Sequence, residues 1–268
     1  MDVAHISSEG IVADQIDEQF GTGVLLVHGL NGNRGDMEEL ATFLAAHSLL
    51  TKNILLPGHG GDVRDMLPIG WLEWAQAVQN ELQLLKKRCA QTFLVGHSLG
   101  GALCLHAAAH EEVDGVVAMC PPLDMYAWML PVVQLTKCVT PLVPTLREDI
   151  HDPVARRRYA RKVYRWTPMA PLESMLQYLP RLYGELPTVT VPALIMNAKR
   201  DHVVPARDGQ AIYRLLGSQD KELVTFHRSY HVIMKDYEYE QVFTKTLAFI
   251  QRIADNKSSG SSQEPDLL

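Results

Sequence analysis

Ser98 is the residue of this sequence best placed to act as a nucleophile. It is the centre of Gly96-His97-Ser98-Leu99-Gly100, which follows the apolar run TFLV and precedes small, helix-forming residues. A strand, a sharp turn that carries the serine and a helix together give G-x-S-x-G its chemical meaning. Glycine suits both ends of such a turn because a Cβ there would collide with nearby backbone. The alternative is that Ser98 lies in an ordinary glycine-rich loop with no catalytic role. A phosphate-binding loop is disfavoured, because neither G-x-x-x-x-G-K-[ST] nor G-x-G-x-x-G occurs in the sequence.

A serine hydroxyl needs a base to take its proton and an acid to orient that base. His231 follows the apolar run ELVTF and is the predicted base, whereas His227 ends that run and is expected to be structural. Asp201, in NAKRDHVVP after the run ALIMN, is the predicted acid, although a turn or N-cap aspartate would look the same. Asp124 in CPPLDMY is the rival acid.

Attack on a carbonyl produces an oxyanion that two backbone N–H groups usually receive. One is expected at Leu99, directly after the nucleophile and at a helix N-terminus. The other is expected at Leu30, in the turn HGLNGN that follows VLLVH. His28 and His97 are expected to pack beside these turns rather than to transfer protons.

The elements that must position these residues alternate between strand and helix. Short apolar runs predict strands at VLLVH (24–28), NILL (53–56), TFLV (92–95), GVVAM (115–119), ALIMN (193–197) and ELVTF (222–226). Residues 71–88 carry apolar side chains at three- and four-residue steps and predict an amphipathic helix. This alternation predicts an α/β fold, a mostly parallel central sheet flanked by helices.

The alternation stops between residues 122 and 187, where proline, leucine and methionine dominate and the apolar spacing is helical. This segment is predicted to be a helical cap inserted between two parts of a core, residues 1–121 and 188–254. The polar residues 255–268 are predicted to form a disordered tail.

Composition and charge limit the classes of function. A net charge of −6 disfavours nucleic-acid binding, which needs a basic face. The four cysteines have no CxxC spacing and are expected to be buried thiols in a reducing compartment. There is no recognisable secretory signal and no apolar run long enough to span a membrane, so a cytoplasmic protein is expected, as a monomer or homodimer.

The motifs HGLNGN, LPGHGGD, GHSLGG, KRDHVVP and SYHVIMKD, in this order, resemble the serine α/β-hydrolases. More narrowly, residues 22 to 253 are similar to the bacterial carboxylesterase and monoacylglycerol lipase group. The resemblance implies a Ser98–Asp201–His231 triad, oxyanion donors at Leu30 and Leu99, and neither a metal nor an organic cofactor. His97 is a departure, because close carboxylesterases often carry an apolar residue before the serine.

The cap is expected to select the substrate. Its bulky and flexible apolar side chains are candidates for contact with an acyl chain, Met125, Trp128, Met129 and Met175 first, with Leu123, Leu130, Val133, Leu135, Leu176 and Leu179 beside them. For most of these residues, packing of the cap onto the core is the competing explanation. The basic segment 147–165 has two interpretations. It is either a solvated helix face or a basic rim that attracts an anionic lipid surface or a phosphorylated thioester carrier.

The leading hypothesis is a serine hydrolase that cleaves medium-chain acyl esters or monoacylglycerols, small-molecule substrates, through an acyl-enzyme. Acyl thioester hydrolysis and carbon–carbon bond hydrolysis would use the same three residues. Dehalogenase and epoxide hydrolase chemistry is disfavoured because it needs an aspartate where Ser98 stands. The alternative from a different functional class is a receptor that binds a hydrophobic ligand and whose role is not catalysis.

Overall fold

The computed structural model describes residues 20–125, 128–145, 150–159 and 164–260. Within these ranges the strands are β1 (Phe20–Val27), β2 (Leu50–Asn53), β3 (Cys89–His97), β4 (Gly115–Met119), β5 (Leu142–Pro144), β6 (Trp166–Pro168), β7 (Ala193–Ala198) and β8 (Lys221–Phe226). The helices are α1 (Arg34–Ala45), α2 (Trp71–Lys86), α3 (Leu99–His110), α4 (Met129–Val139), α5 (Pro153–Tyr159), α6 (Met169–Glu185), α7 (Ala206–Leu215) and α8 (Tyr239–Gly260).

Six strands form one sheet in the order β2-β1-β3-β4-β7-β8, and every neighbouring pair is parallel. The predicted α/β fold with a mostly parallel sheet is therefore confirmed. The sheet is covered on both faces, as its β1 strand illustrates: Val24 and Leu26 belong to one buried cluster, while Leu25 and Val27 belong to the other. This division follows from strand geometry, because successive side chains point to opposite faces.

The second strand differs from its predicted position. NILL was expected at 53–56, but β2 spans Leu50–Asn53, so only Asn53 is shared. Ile54 and Leu56 are buried at the exit from the strand, where they pack in the cluster that contains α2. Their apolar character thus reflects burial in the core after the strand and not pairing within the sheet.

The parallel strands end at one edge of the sheet, and the loops that leave this edge carry the candidate site residues. Leu30 follows β1, Ser98 follows β3, Asp201 follows β7 and His231 follows β8. Ligand sites in open parallel sheets lie at this carboxyl edge. Residues far apart in the sequence are therefore directed toward one place.

The chain between β4 and β7 contains α4, β5, α5, β6 and α6. The prediction of helices alone in this segment missed a small sheet, in which Leu142 to Pro144 pair antiparallel with Trp166 to Pro168. Proline at the end of both strands masked their strand character, since proline is uncommon within sheets. Helix α6 packs against α2, α3 and α4 and so connects this segment to the rest of the molecule.

The C-terminal helix extends past the predicted end of the core. Helix α8 continues to Gly260, six residues into the segment predicted to be disordered, and residues 261–268 lie outside the described part of the chain. Part of the basic segment, residues 147–149 and 160–163, also lies outside it. No described helix combines the length and the apolar composition that crossing a bilayer requires.

Candidate active site

Ser98 lies in a strained turn between β3 and α3. Its φ is 53°, a left-handed conformation that non-glycine residues rarely adopt. Its backbone N–H donates to the carbonyl of Met119 at 2.8 Å, which ties the turn to the end of β4. Strained backbone that the surroundings hold in place is frequent at active sites.

Gly96 and Gly100 make this turn possible. A Cβ on Gly96 would lie 2.2 Å from the carbonyl oxygen of Gly100, and a Cβ on Gly100 would lie 2.2 Å from the carbonyl oxygen of Val27. Both atoms would meet backbone, which cannot move aside. The two glycines therefore let α3 begin directly against β3 and β1, with Ser98 at the turn.

His231 and Asp201 form a buried hydrogen-bonded pair. The Nδ1 of His231 lies 2.7 Å from an Oδ2 of Asp201, and their side chains are 6% and 1% exposed. The other carboxylate oxygen of Asp201 accepts the N–H groups of Val203 and Val204 at 2.7 and 2.8 Å. Burial raises the pKa of Asp201, but the neighbouring His231 and these hydrogen bonds outweigh it and leave the pKa below its ordinary value. An ionised Asp201 holds the proton of His231 on Nδ1, so Nε2 carries the lone pair.

His97 supports the loop that carries His231. It is buried, and its Nε2–H donates to the carbonyl of His231 at 3.0 Å, with the two rings 4.8 Å apart. Burial, aided by the neighbouring His231, lowers the pKa of His97 to about 3, so the ring is neutral. A neutral ring whose proton is committed to a carbonyl acts as a packing neighbour, the role that the sequence suggested.

The loop after β1 is fixed by two histidines. His28 Nδ1–H donates to the carbonyl of Gly29 at 2.9 Å, while its Nε2 accepts the N–H of Leu56 at 3.1 Å. His59 Nε2 donates to the carbonyl of Leu30 at 2.7 Å. Because a trans peptide points its N–H away from its C=O, fixing the Gly29 carbonyl also fixes the direction of the Leu30 N–H.

This loop lies against the nucleophile turn. A Cβ on Gly29 would be 3.3 Å from the Cβ of Ser98, and Leu30 and Ser98 line the same cavity. Leu99 is buried as the first residue of α3, where N–H groups have no partner within the helix. The sequence suggested only a packing role for His28, and it did not identify His59, whose contact with Leu30 spans 29 residues.

Two buried histidines near this site make the stability depend on pH. Burial, together with neighbouring His59 for His28 and His231 for His97, lowers both pKa values from 6.5 to about 3. Between these values the unfolded chain binds two protons that the folded chain does not. The free energy of unfolding should therefore rise with pH up to 6.5 and fall below it by about 1.4 kcal/mol per pH unit for each histidine.

Urea unfolding at pH 5.5 and pH 7.0 measures this dependence. His97→Gln, which keeps an N–H donor for the His231 carbonyl, should reduce the mean pH slope over this interval by about 0.6 proton, because part of the interval lies above the unfolded pKa of 6.5. The exposed His47→Ala serves as the control and should leave the slope unchanged. An unaltered slope in His97→Gln would show that His97 is not the buried neutral histidine described.

Buried carboxylates hold the loops around the site. Asp236 is fully buried and accepts the N–H groups of Tyr230, Asp152 and Tyr237 at 2.7, 2.7 and 3.0 Å, so it joins the His231 loop to the chain before α5. Asp208 accepts three successive N–H groups, those of Leu123, Asp124 and Met125. The sequence identified neither carboxylate.

Asp124 takes no part in the site as an acid. Its side chain is exposed, while its backbone N–H is bound by Asp208. His227 is also exposed, beyond the end of β8. Of the two predicted acids, only Asp201 contacts the imidazole of His231 in the described structure.

Ser98, His231 and Leu30 all line one cavity of about 350 Å³. The four predicted cap contacts, Met125, Trp128, Met129 and Met175, all line it. Six other cap side chains suggested by the sequence do not: Leu123, Leu130, Val133, Leu135, Leu176 and Leu179. Most of these pack in the core, and Leu135 is 71% exposed. The apolar composition of the cap thus pointed to some of the residues that line the cavity, but it did not separate them from residues that pack in the core.

The cavity lining includes a polar corner, formed by three hydrogen-bonded side chains. Asn31 Nδ2 donates to the hydroxyl of Thr167 at 2.9 Å, and that hydroxyl lies 3.0 Å from the hydroxyl of Thr145. All three residues line the cavity. The sequence did not single them out, because Thr145 and Thr167 meet only through the small β5–β6 sheet.

Cys120 lies against the acid–base pair. Its sulfur and the ligand atoms of Asp201 and His231 lie within 4.8 Å of one another. Burial and the neighbouring carboxylate raise the pKa of the Cys120 thiol well above its ordinary value. A protonated thiol is a poor metal ligand, so this group of three residues is better suited to orienting His231 than to binding a metal.

Cys89, Cys104 and Cys120 are buried free thiols, as expected, but Cys138 is exposed. It lies near the end of α4, on a helix that the sequence placed wholly in the cap. The prediction that all four cysteines are buried, made from the small apolar nature of the side chain, is therefore wrong for Cys138.

Comparison with known proteins agrees with this architecture. The family model described as Hydrolase_4, serine aminopeptidase S33, matches residues 21–238. A thermostable monoacylglycerol lipase from Bacillus sp. (strain H-257) is 29% identical over 87% of this chain and 91% of its own length. A carboxylesterase from Bacillus subtilis (strain 168) is 24% identical over 86% of this chain and 92% of its own length.

Solved structures show the same fold. One from the work on LipS and LipT, two metagenome-derived lipolytic enzymes, has a TM-score of 0.80 and 30% identity, covering 87% of this chain and 96% of that one. A monoacylglycerol lipase from Paleococcus ferrophilus has a TM-score of 0.71 at 23% identity, covering 88% and 96% of the two chains. With its parallel sheet, its nucleophile turn and a family match over most of its length, this chain belongs to the Hydrolase_4 family of serine α/β-hydrolases.

Proposed function

We propose that this protein hydrolyses carboxylic esters, with Ser98 as nucleophile, His231 as general base and Asp201 as the group that orients the base. The observation that carries the proposal is the cavity that Ser98 and His231 both line. Ser98 lies there in a strained turn, and the Nδ1 of His231 is hydrogen-bonded to Asp201. An activated serine needs this combination of a base and an orienting acid. The relatives named as a monoacylglycerol lipase and a carboxylesterase support the ester chemistry.

In the first half of the reaction, Ser98 Oγ attacks the ester carbonyl while His231 Nε2 takes its proton. The N–H groups of Leu30 and Leu99 receive the negative charge of the tetrahedral intermediate. His231 then gives the proton to the departing alcohol, which leaves Ser98 acylated. In the second half, His231 takes a proton from water, the hydroxide attacks the acyl group, and the acid departs as Ser98 regains its proton.

The cavity suits a monoacylglycerol with a medium-length acyl chain. Methionine side chains adapt to a flexible acyl chain, and each buried methylene contributes about 0.8 kcal/mol. The polar corner of Asn31, Thr145 and Thr167 offers donors and acceptors that match the free hydroxyls of a glycerol group. We propose that the acyl chain lies along the cap residues and that glycerol lies at this corner.

A substrate panel tests this proposal through kcat/KM. It contains p-nitrophenyl esters and monoacylglycerols of increasing chain length, acyl thioesters of the same lengths and an aminoacyl p-nitroanilide. The expected maximum is on a medium-chain monoacylglycerol. A maximum on thioesters would contradict the substrate class, one on the anilide would favour peptidase activity, and no turnover of any compound would favour a receptor.

We further propose that helix α4 contacts the surface of aggregated lipid. Val132, Leu135 and Val139 are 49%, 71% and 83% exposed at helical spacing, and Trp128 before them is 57% exposed. Exposed apolar stripes of this kind mark interaction sites. Because Trp128 and Met129 also line the cavity, lipid bound there would lie beside its entrance.

The double variant Leu135→Glu and Val139→Glu tests this contact. It should lower activity on monoacylglycerol in vesicles by about 10-fold while leaving hydrolysis of a soluble short-chain ester unchanged, because burying charge in lipid costs more than 1 kcal/mol. Leu72→Glu, at a 70% exposed position of α2, is the matched control and should change neither rate. Equal activity of all three proteins on vesicles would contradict the contact.

We propose that the protein works in the cytoplasm. The free thiols suit a reducing compartment such as the cytoplasm, because thiols are kept reduced there.

A further inference from the structure

His106, His110 and Glu185 form a compact cluster of potential metal ligands outside the cavity. Their donor atoms all lie within 4.8 Å of one another. His106 and His110 are four residues apart on α3, and Glu185 ends α6. Since none of the three lines the cavity of Ser98 and His231, the ester chemistry leaves the cluster without a role.

The spacing of the cluster suits a small divalent ion. Glu185 lies 2.8 Å from His106 Nδ1 through one carboxylate oxygen and 3.9 Å from His110 Nε2 through the other. Zinc binds nitrogen and carboxylate oxygen at about 2.0–2.2 Å in a tetrahedral arrangement, which places neighbouring donors about 3.4 Å apart. The two carboxylate–histidine separations lie on either side of this value, and all three donor atoms lie within 4.8 Å of one another, so side-chain rotations would bring them to one ion.

Neighbouring groups already orient the ligands. His110 Nδ1–H donates to the carbonyl of His106 at 2.8 Å, so its Nε2 carries the lone pair. Tyr178 donates its hydroxyl to Glu185 at 3.0 Å, and its ring stacks on Trp71 with the centroids 4.1 Å apart. Hydrogen bonds from outer groups that fix histidine and carboxylate ligands are typical of metal sites.

We propose that His106, His110 and Glu185 bind a divalent transition metal ion of the zinc type, with water completing its coordination. On binding, the proton that His106 Nδ1 shares with Glu185 leaves this nitrogen and Nε2 takes one up from solvent, so that the ring stays neutral and Nδ1 offers its lone pair to the ion. The half-exposed side chain of His110 gives the ion a route from solvent. The ion would join α3, which begins next to Ser98, to α6, which carries Met169 and Met175 of the cavity wall. Its role is therefore structural, a link between the core and the cap.

Calorimetric titration with ZnCl2 tests the proposal on the full chain without a histidine tag, after removal of metal by EDTA and dialysis. We expect one strong site per chain with a Kd in the micromolar range or tighter. At a free zinc concentration 100 times the Kd, Tm should rise by about 5 °C. Cobalt(II) should give the visible absorption of a site with nitrogen and oxygen ligands.

Three variants make the result specific. His110→Ala removes one ligand, and Glu185→Gln keeps an acceptor for Tyr178 while removing the charge. Each should weaken zinc binding by at least about 10-fold, the lower end of what loss of an outer-sphere group costs. His47→Ala is the matched control, because His47 Nδ1 also contacts the carbonyl four residues earlier but has no carboxylate partner in the described structure. Absence of zinc binding, or wild-type affinity in His110→Ala, would overturn the proposal.

Discussion

Replacement of Ser98 by alanine is expected to reduce kcat for ester hydrolysis by about 10⁶-fold. The variant loses the atom that forms the acyl-enzyme, and what remains is binding together with the N–H groups of Leu30 and Leu99. Steady-state kinetics with a p-nitrophenyl ester, at enzyme concentrations high enough to detect the residual rate, measures the loss.

The control for this variant is Ser48→Ala. Ser48 also has a positive φ, 64°, but it is exposed and distant in sequence from every residue of the site. It should retain wild-type kcat, which separates the loss of the hydroxyl from the effect of alanine in a left-handed turn. A Ser98→Ala variant that keeps its Tm and more than a small fraction of wild-type kcat would exclude Ser98 as the nucleophile.

Replacement of Asp201 by asparagine is expected to reduce kcat by about 10⁴-fold. In the native protein, Oδ1 of Asp201 accepts the N–H groups of Val203 and Val204. The side-chain carbonyl of the asparagine should therefore take the Oδ1 position, and its NH₂ group should face His231. A donor at this place favours the histidine tautomer with its proton on Nε2, which cannot accept a proton from Ser98.

Asp124→Asn is the matched control, because Asp124 was the rival acid in the sequence and its side chain is exposed. It should leave kcat unchanged. The double variant Ser98→Ala and Asp201→Asn should be about as slow as Ser98→Ala alone, since an orienting acid is without effect once the nucleophile is gone. Additive losses would indicate that Asp201 acts independently of Ser98.

The residues of the candidate site were predictable where their signal is local. Gly96, Ser98 and Gly100 lie within five positions, and the backbone clashes that require these glycines arise from the same turn. Asp201 and His231 were identified because each follows a strand of the sheet, and parallel strands bring their ends to one edge. The same reasoning predicted the central sheet.

The supports of the site were not predictable because their partners are backbone groups of distant loops. Asp236 binds the N–H of Asp152, and His59 binds the carbonyl of Leu30. Backbone groups are identical in every residue, so the sequence around them carries no sign of such contacts. Glu185 was missed for a different reason: it contacts the His106 side chain from 79 positions away, and only the spacing of His106 and His110 is visible in the sequence.

The cap shows a third kind of limit. Helical spacing marks apolar residues, but it does not say whether a face meets the core, the cavity or solvent. Met129 lines the cavity, Val133 is buried in the core and Leu135 is exposed, although all three lie on α4. Distinguishing them requires knowing where the helix sits on the sheet.

Covalent labelling with a fluorophosphonate tests the central claim most directly, because the reagent reacts with a serine only when a base activates its hydroxyl. Intact-protein mass spectrometry should show one adduct per chain, and peptide mapping should place it on Ser98. His231→Ala should react far more slowly, and Ser98→Ala should not react. An adduct on another residue, or unchanged labelling of Ser98→Ala, would contradict the assignment of Ser98 as the nucleophile.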